Sequence, residues 1–211
     1  MKPFLIILIS LLTTLIACEQ QNGFTDRGFA NKAEAKNELK DTVKEGKWVE
    51  YMGMSGKVTT DTNSPLYRLC IYKDGIPFGI VRVFYKDGKL EAEMPYQNGK
   101  LHGLVKEYSE SGAMLDEMPF QEGKEDGIER IYFESGKVSF ENTFKDGNPV
   151  ISKRYYENGI LEHITPYTNG LMDGVAKDYY ETGKIAEETT YTKGKQVSFK
   201  SYDEKGNEIK Q

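Results

Sequence analysis

Cysteine, histidine and tryptophan are nearly missing from this 211-residue chain, which has two, two and one of them. A zinc site of the usual Cys/His type would consume almost every available ligand, and the positions of Cys18, Cys70, His102 and His163 do not permit one. A basic excess is also absent: 28 lysines and arginines stand against 33 acids, for a net charge of −5. Such a balance leaves nothing to neutralise a polyanion, which argues against nucleic acid as a partner. Apolar residues are sparse at 38%, yet a 12% aromatic share argues against disorder. Serines such as Ser109, Ser111 and Ser135 sit beside turns with no base in a recognisable motif, and no Gly-Lys-Ser/Thr phosphate loop occurs. Catalysis, a metal and a cofactor are therefore not expected.

A long hydrophobic run is lacking too. Phe4 to Ile16 is uncharged and apolar, but a bilayer span needs about 20 such residues. With Lys2 before it and Ala17 after it, residues 1–17 read as a signal peptide. Leu15-Ile16-Ala17-Cys18 resembles the lipobox of bacterial lipoproteins. That resemblance implies cleavage before Cys18, its lipidation, and an exported protein anchored in a bacterial membrane, the outer one in a Gram-negative cell. With Cys18 committed to lipid, no intramolecular disulfide is available, and Cys70 within Leu69-Cys70-Ile71-Tyr72 reads as a small buried hydrophobe. Residues 18–45 then form the lipidated cysteine and a tether. Within it Asn31, Glu34, Ala35, Leu39 and Val43 carry the cap and thin stripe of a short helix over 31–44.

What the chain does have is a period. Aromatic-x-x-Gly units begin at Tyr72, Tyr96, Phe120, Phe144, Tyr167 and Tyr191, and all 16 glycines after residue 71 fall at three repeat positions. Tetrapeptides such as KDGK (86–89) and ETGK (181–184) mark hairpin turns with glycine at positive φ. Two registers compete. A two-residue turn sets Phe84 opposite Glu91 and Arg82 opposite Glu93; a three-residue loop with a glycine bulge sets Tyr85 opposite Lys89 and Phe84 opposite Leu90. The second gathers Tyr108 with Met114, Tyr132 with Val138, Tyr155 with Leu161 and Tyr179 with Ile185, so it is preferred. It also places Ile80, Leu104, Ile128, Ile151 and Val175 on that face, with the aromatics that open each unit. A basic column of Arg82, Lys106, Arg130, Lys153, Lys177 and Lys200 runs between these rows. Glu93, Glu117, Glu141 and Glu188 are expected on the opposite face. Pro95, Pro119 and Pro166 cannot donate to a ladder, so they mark strand ends, bulges or unpaired sites. The expected fold is all-β: tandem hairpins of about 24 residues over 46–211, stacked into an elongated twisted antiparallel sheet. Residues 46–71 form a degenerate first repeat, with Trp48 capping the end of the array.

Units such as YQNGKLHGLVKEYSESG (96–112) and YTNGLMDGVAKDYYETGK (167–184) resemble MORN repeats of the bacterial variant, and a lipoprotein-headed array is similar to YwqK-type antitoxins. The resemblance implies protein binding without catalysis, the bound protein being a toxin in antitoxin members. The candidate partner-binding face is then Arg82, Phe84, Lys106, Tyr108, Arg130, Tyr132, Lys153, Tyr155, Lys177 and Tyr179. A competing expectation is a structural envelope lipoprotein that binds cell-wall glycan or lipid headgroups.

Overall fold

Residues 28–53 and 55–210 are described by the structure, a computed structural model. The signal segment, Cys18 and most of the polar tether lie outside the described residues. Two kinds of turn convert the alternating segments into one open antiparallel sheet of 18 strands, in which each long strand pairs with the long strands before and after it and four two-residue strands extend the preceding hairpins. The all-β hairpin array read from the period is thus what the chain forms.

At Asn98-Gly99 both residues have positive φ, 51° and 75°, the type I′ geometry whose twist matches the strands it joins. At the other kind of turn, the Tyr85 N–H donates to the Lys89 carbonyl and the Gly88 N–H donates to the Tyr85 carbonyl, each at 2.9 Å. That closes the three-residue loop expected over 86–88. All five foreseen pairs form: Phe84 with Leu90, Tyr108 with Met114, Tyr132 with Val138, Tyr155 with Leu161 and Tyr179 with Ile185.

One residue farther on, the two competing registers prove to coexist. Phe84 faces Leu90, but Val83 faces Ala92 and Arg82 faces Glu93. Glu91 is the extra residue of a bulge that shifts the parity of the returning strand. The glutamate column therefore lies on the same face as the basic column, not on the opposite one. The aromatics that open each unit move the other way. Tyr96 opposes Gly79 and packs with Cys70, Tyr72 and Val81 on the reverse face.

Three prolines stand inside strands where the next strand is interrupted. The His102 N–H reaches back to the Pro95 carbonyl at 2.9 Å, and Asp126 and Asp173 do the same to Pro119 and Pro166. Each proline ring lies against a middle glycine. A Cβ at Gly103, Gly127 or Gly174 would come within 3.1, 2.8 or 2.9 Å of the Cγ of Pro95, Pro119 or Pro166. The two units without that glycine have Thr143 and Thr190 in place of the proline. In these three units proline and glycine are one steric unit spread over two strands, whereas Gly79 in the first has Ile71 at the proline position.

Hairpins also lock to their neighbours. The Tyr85, Tyr156 and Tyr180 hydroxyls donate to the Tyr108, Tyr179 and Tyr202 carbonyls at 2.9, 2.7 and 2.7 Å. Turn lysines Lys89, Lys137 and Lys184 donate to the Glu110, Glu157 and Glu204 carbonyls at 2.8 Å. These bonds repeat because the residues repeat, and each contributes about 1 kcal/mol.

The N-terminal segment differs from expectation. Asn31 does cap a helical turn, accepting from the Ala33 N–H, but only Lys32–Glu34 follows, as a 3-10 turn. Asp41 and Thr42 both take positive φ and turn a hairpin between Glu38–Lys40 and Val43–Met52. The apolar stripe was too thin to sustain a helix, and Leu39 is 63% exposed. Gly28 and Phe29, expected in the tether, pack on the sheet: Phe29 is buried with Leu69 and Phe84. The degenerate first repeat pairs Gly46 to Met52 with Tyr72 to Leu66 across a long excursion. Trp48 meets Tyr72 edge-on at 6.1 Å and donates to the Glu45 carbonyl, with the short hairpin beyond it forming the end of the sheet. Most fully buried side chains, Leu69, Cys70 and Val81 among them, lie in these first hairpins. Later units are half-buried on both faces.

Candidate interaction face

Parity along one strand decides which side chains share a surface. Arg82 and Phe84, two apart, do so, and the register carries this to Lys106 with Tyr108, Arg130 with Tyr132, Lys153 with Tyr155 and Lys177 with Tyr179. All ten residues of the expected face are thus brought onto one face, as a cationic row beside an aromatic row. Beyond the cations lies an aliphatic row in which Leu104, Ile128 and Val175 are 38%, 40% and 41% exposed.

The cationic row is not a bare positive stripe. Direct cross-strand partners run Arg82, Glu93, Lys106, Glu117, Arg130, Glu141, Lys153, Ile164, Lys177, Glu188 and Lys200. This is a ladder of alternating charge across the sheet. Arg82 meets Glu93 at 2.9 Å, and Lys177 meets Glu188 at 2.9 Å. Arg130 bridges Glu117 at 3.1 Å and Glu141 at 3.2 Å. Pairs this accessible contribute roughly 0.2–1 kcal/mol each, so the ladder specifies register more than it stabilises the sheet.

The tyrosine row is tied to the same acids. The Tyr155 hydroxyl donates to Glu141 at 2.8 Å and the Tyr202 hydroxyl to Glu188 at 2.9 Å. Burial and then the Glu141 carboxylate push the Tyr155 phenol up to about 12. Burial raises Glu141, but hydrogen bonds from Tyr155 and Arg130 outweigh it and hold the carboxyl below its ordinary value. A groove of about 570 Å3 opens on this face between hairpins, with Ile80, Glu93, Pro95, Leu104 and Lys106 in its walls.

The N-terminal segment crosses the start of this face. Leu69 occupies the ladder position before Arg82, and Phe29 covers it together with Phe84. A Cβ on Gly28 would stand 2.7 Å from the Ile80 carbonyl oxygen, so only glycine permits this approach. The sequence holds no periodic signal for Phe29, because it precedes the repeats.

On the reverse face three arrangements lacked any signal in the period. Glu50, 5% exposed, accepts from Arg68 Nε at 2.7 Å and from the Tyr72 hydroxyl at 2.9 Å, and pairs with Lys44. Burial alone would raise its carboxyl, yet these donors hold it below its ordinary value. His163 hydrogen-bonds Asp178 through Nδ1 at 2.7 Å and Thr165 through Nε2, a carboxylate–imidazole–hydroxyl line. Thr165 is only 4% exposed, so its hydroxyl orients the imidazole and is not presented to a substrate. His102 is separate from this line, its Nδ1 3.5 Å from Glu122 without hydrogen-bond geometry. The third is a group of carboxylates, Glu107, Asp116 and Glu129. Asp116 Oδ1 is buried with no hydrogen-bond partner among the described residues. Burial first, then Glu129 and Glu107, push the Asp116 carboxyl up to about 6. Among the described residues no group of three His, Cys, Asp or Glu is placed to hold a metal ion.

Residues 79–98, 101–122, 125–146, 150–169 and 172–193 match the family described as MORN repeat variant, half of the chain in five successive units. Each matched unit runs from near a middle-glycine position through the three-residue loop toward the type I′ turn, a different phase from the aromatic-led reading of the same period. No curated protein matches the chain.

Proposed function

The chain belongs to the MORN repeat variant family, with five repeats, and from that premise we propose that it is a non-catalytic scaffold that binds another protein on its charged and aromatic face. The chain is an exported bacterial lipoprotein in this reading, anchored through lipid on Cys18 and similar in role to YwqK-type antitoxins, whose partner is a toxin. The observation that carries the reading is the docking of Gly28-Phe29 on the first hairpins, a polypeptide segment seated on this face. The same rows continue past it with aliphatic residues exposed. Half-buried tyrosines and arginines in register, flanked by exposed aliphatic residues, include the residue types enriched in interaction hot spots. Repeat arrays place such rows on one extended surface because each unit touches only its neighbours.

The test is affinity capture with the natural lipidated protein from membranes of its own cell. Recovery of a stoichiometric partner, lost on Tyr132→Ala with Arg130→Ala, is the expected result. Recovery of none, or recovery unaffected by those changes, overturns the reading. Deletion of the gene without loss of self-protection removes the antitoxin role in particular.

A further inference from the structure

Between Arg82 and Lys200 the charge ladder breaks once. Sign alternation calls for an acid between Lys153 and Lys177, and Ile164 stands there. The tyrosine row loses its diagonal acid at the same point. Tyr155 and Tyr202 hydrogen-bond the acids diagonally across, Glu141 and Glu188. The diagonal position for Tyr179 is Ile164, and no described residue pairs with its hydroxyl. Each lysine also has one acid where Arg130 has two: Lys153 keeps Glu141 at 3.6 Å and Lys177 keeps Glu188 at 2.9 Å.

The first hairpin shows what accompanies loss of that acid when the position is closed. Leu69 replaces it, the diagonal aromatic is Phe84 without a hydroxyl, and Phe29 covers both, leaving Leu69 0% exposed. At Ile164 the hydroxyl and both cations are retained and no described segment covers them. The Lys153 and Lys177 side chains are 36% and 34% exposed, and Val175 beside them is 41% exposed. A polar ladder that lacks one acid but keeps its donors has the chemistry of a carboxylate site with an aliphatic floor.

We propose that Lys153, Lys177 and Tyr179 bind one acidic side chain of the partner protein, an aspartate or glutamate whose methylenes rest on Ile164. This inference rests on the protein-binding reading above and names the chemistry at its contact point. The bound carboxylate would restore the alternation, accepting from the Tyr179 hydroxyl as Glu141 accepts from Tyr155.

The site is tested without the partner, using N-acetyl-glutamate methylamide as probe and its glutamine counterpart as control. Methyl signals of Ile151 and Val175, which flank the site, are followed by NMR in the intact protein. A saturable shift with a dissociation constant on the order of millimolar is expected for the glutamate probe. It should fall at least several-fold in Lys153→Gln with Lys177→Gln and vanish in Ile164→Glu, which supplies the missing acid internally. Glutamate at this column is native to four other units, Glu93, Glu117, Glu141 and Glu188, so that variant keeps the fold, and circular dichroism checks it. Equal shifts with both probes, or an unchanged response in Ile164→Glu, overturn the site. Affinity capture separates the two ideas: a partner retained equally by Ile164→Glu sinks the site alone, whereas absence of any partner sinks the protein-binding reading.

Discussion

Replacing Asp116 by asparagine should stabilise this protein, with a pH dependence of defined sign. Asp116 faces its cross-strand partner Glu107 and lies near Glu129 of the following hairpin, and its Oδ1 is buried without a donor. Desolvation and those two carboxylates raise its carboxyl from 3.8 to about 6, against a smaller lowering by the Glu117 backbone N–H. A folded pKa above the unfolded one contributes stability that is complete below about 3.8 and is lost as pH rises through about 6. At about 1.4 kcal/mol per pKa unit the ceiling of that loss is roughly 3 kcal/mol. Asp116 is partly exposed, so solvent screening reduces the expected effect to about 1–2 kcal/mol. Urea unfolding followed by far-UV circular dichroism at pH 4 and pH 8 gives the comparison. Asp116→Asn should unfold at higher urea than the wild type at pH 8, and the difference should shrink toward zero at pH 4. A difference that is absent at pH 8, or the same at both pH values, refutes the desolvation argument. So does a carbon-detected titration that places the Asp116 midpoint near 4.

Gly127→Ala should cost about 1–3 kcal/mol, because φ is 126° and the new Cβ would meet the Pro119 ring at 2.8 Å. Adding Pro119→Thr, the residue found in units without this glycine, should recover part of that loss in the same urea assay. Tyr156→Phe removes the 2.7 Å bond to the Tyr179 carbonyl and should cost about 1 kcal/mol, with faster amide exchange confined to the two hairpins it joins. Burial pushes the Cys70 thiol up to about 11 and leaves it 1% exposed, so iodoacetamide at pH 8 should label it only in denaturant. Labelling of the native protein at that residue, located by peptide mapping, would contradict the packing of the first hairpins.

Much of this architecture is legible in the sequence alone. The 24-residue period, the turn residues, the three-residue loop and the co-facial set Ile80, Arg82 and Phe84 all follow from spacing within one strand or one turn, where alternation is a local rule. Tertiary structure decided what depends on a second strand. One bulge residue, Glu91, reverses the parity of the strand after it, which moves Glu93 beside Arg82 and turns an apparent basic stripe into a paired ladder. Nothing in the alternation marks that residue, because a bulge is set by how two strands meet. Pro95 and Gly103 likewise reveal their dependence only when their strands lie side by side. Phe29, outside the period, found its place on Leu69 and Phe84 through burial alone. Local periodicity specified the repeating unit, whereas contact between units chose the side on which its charges stand and the point at which the ladder is left open.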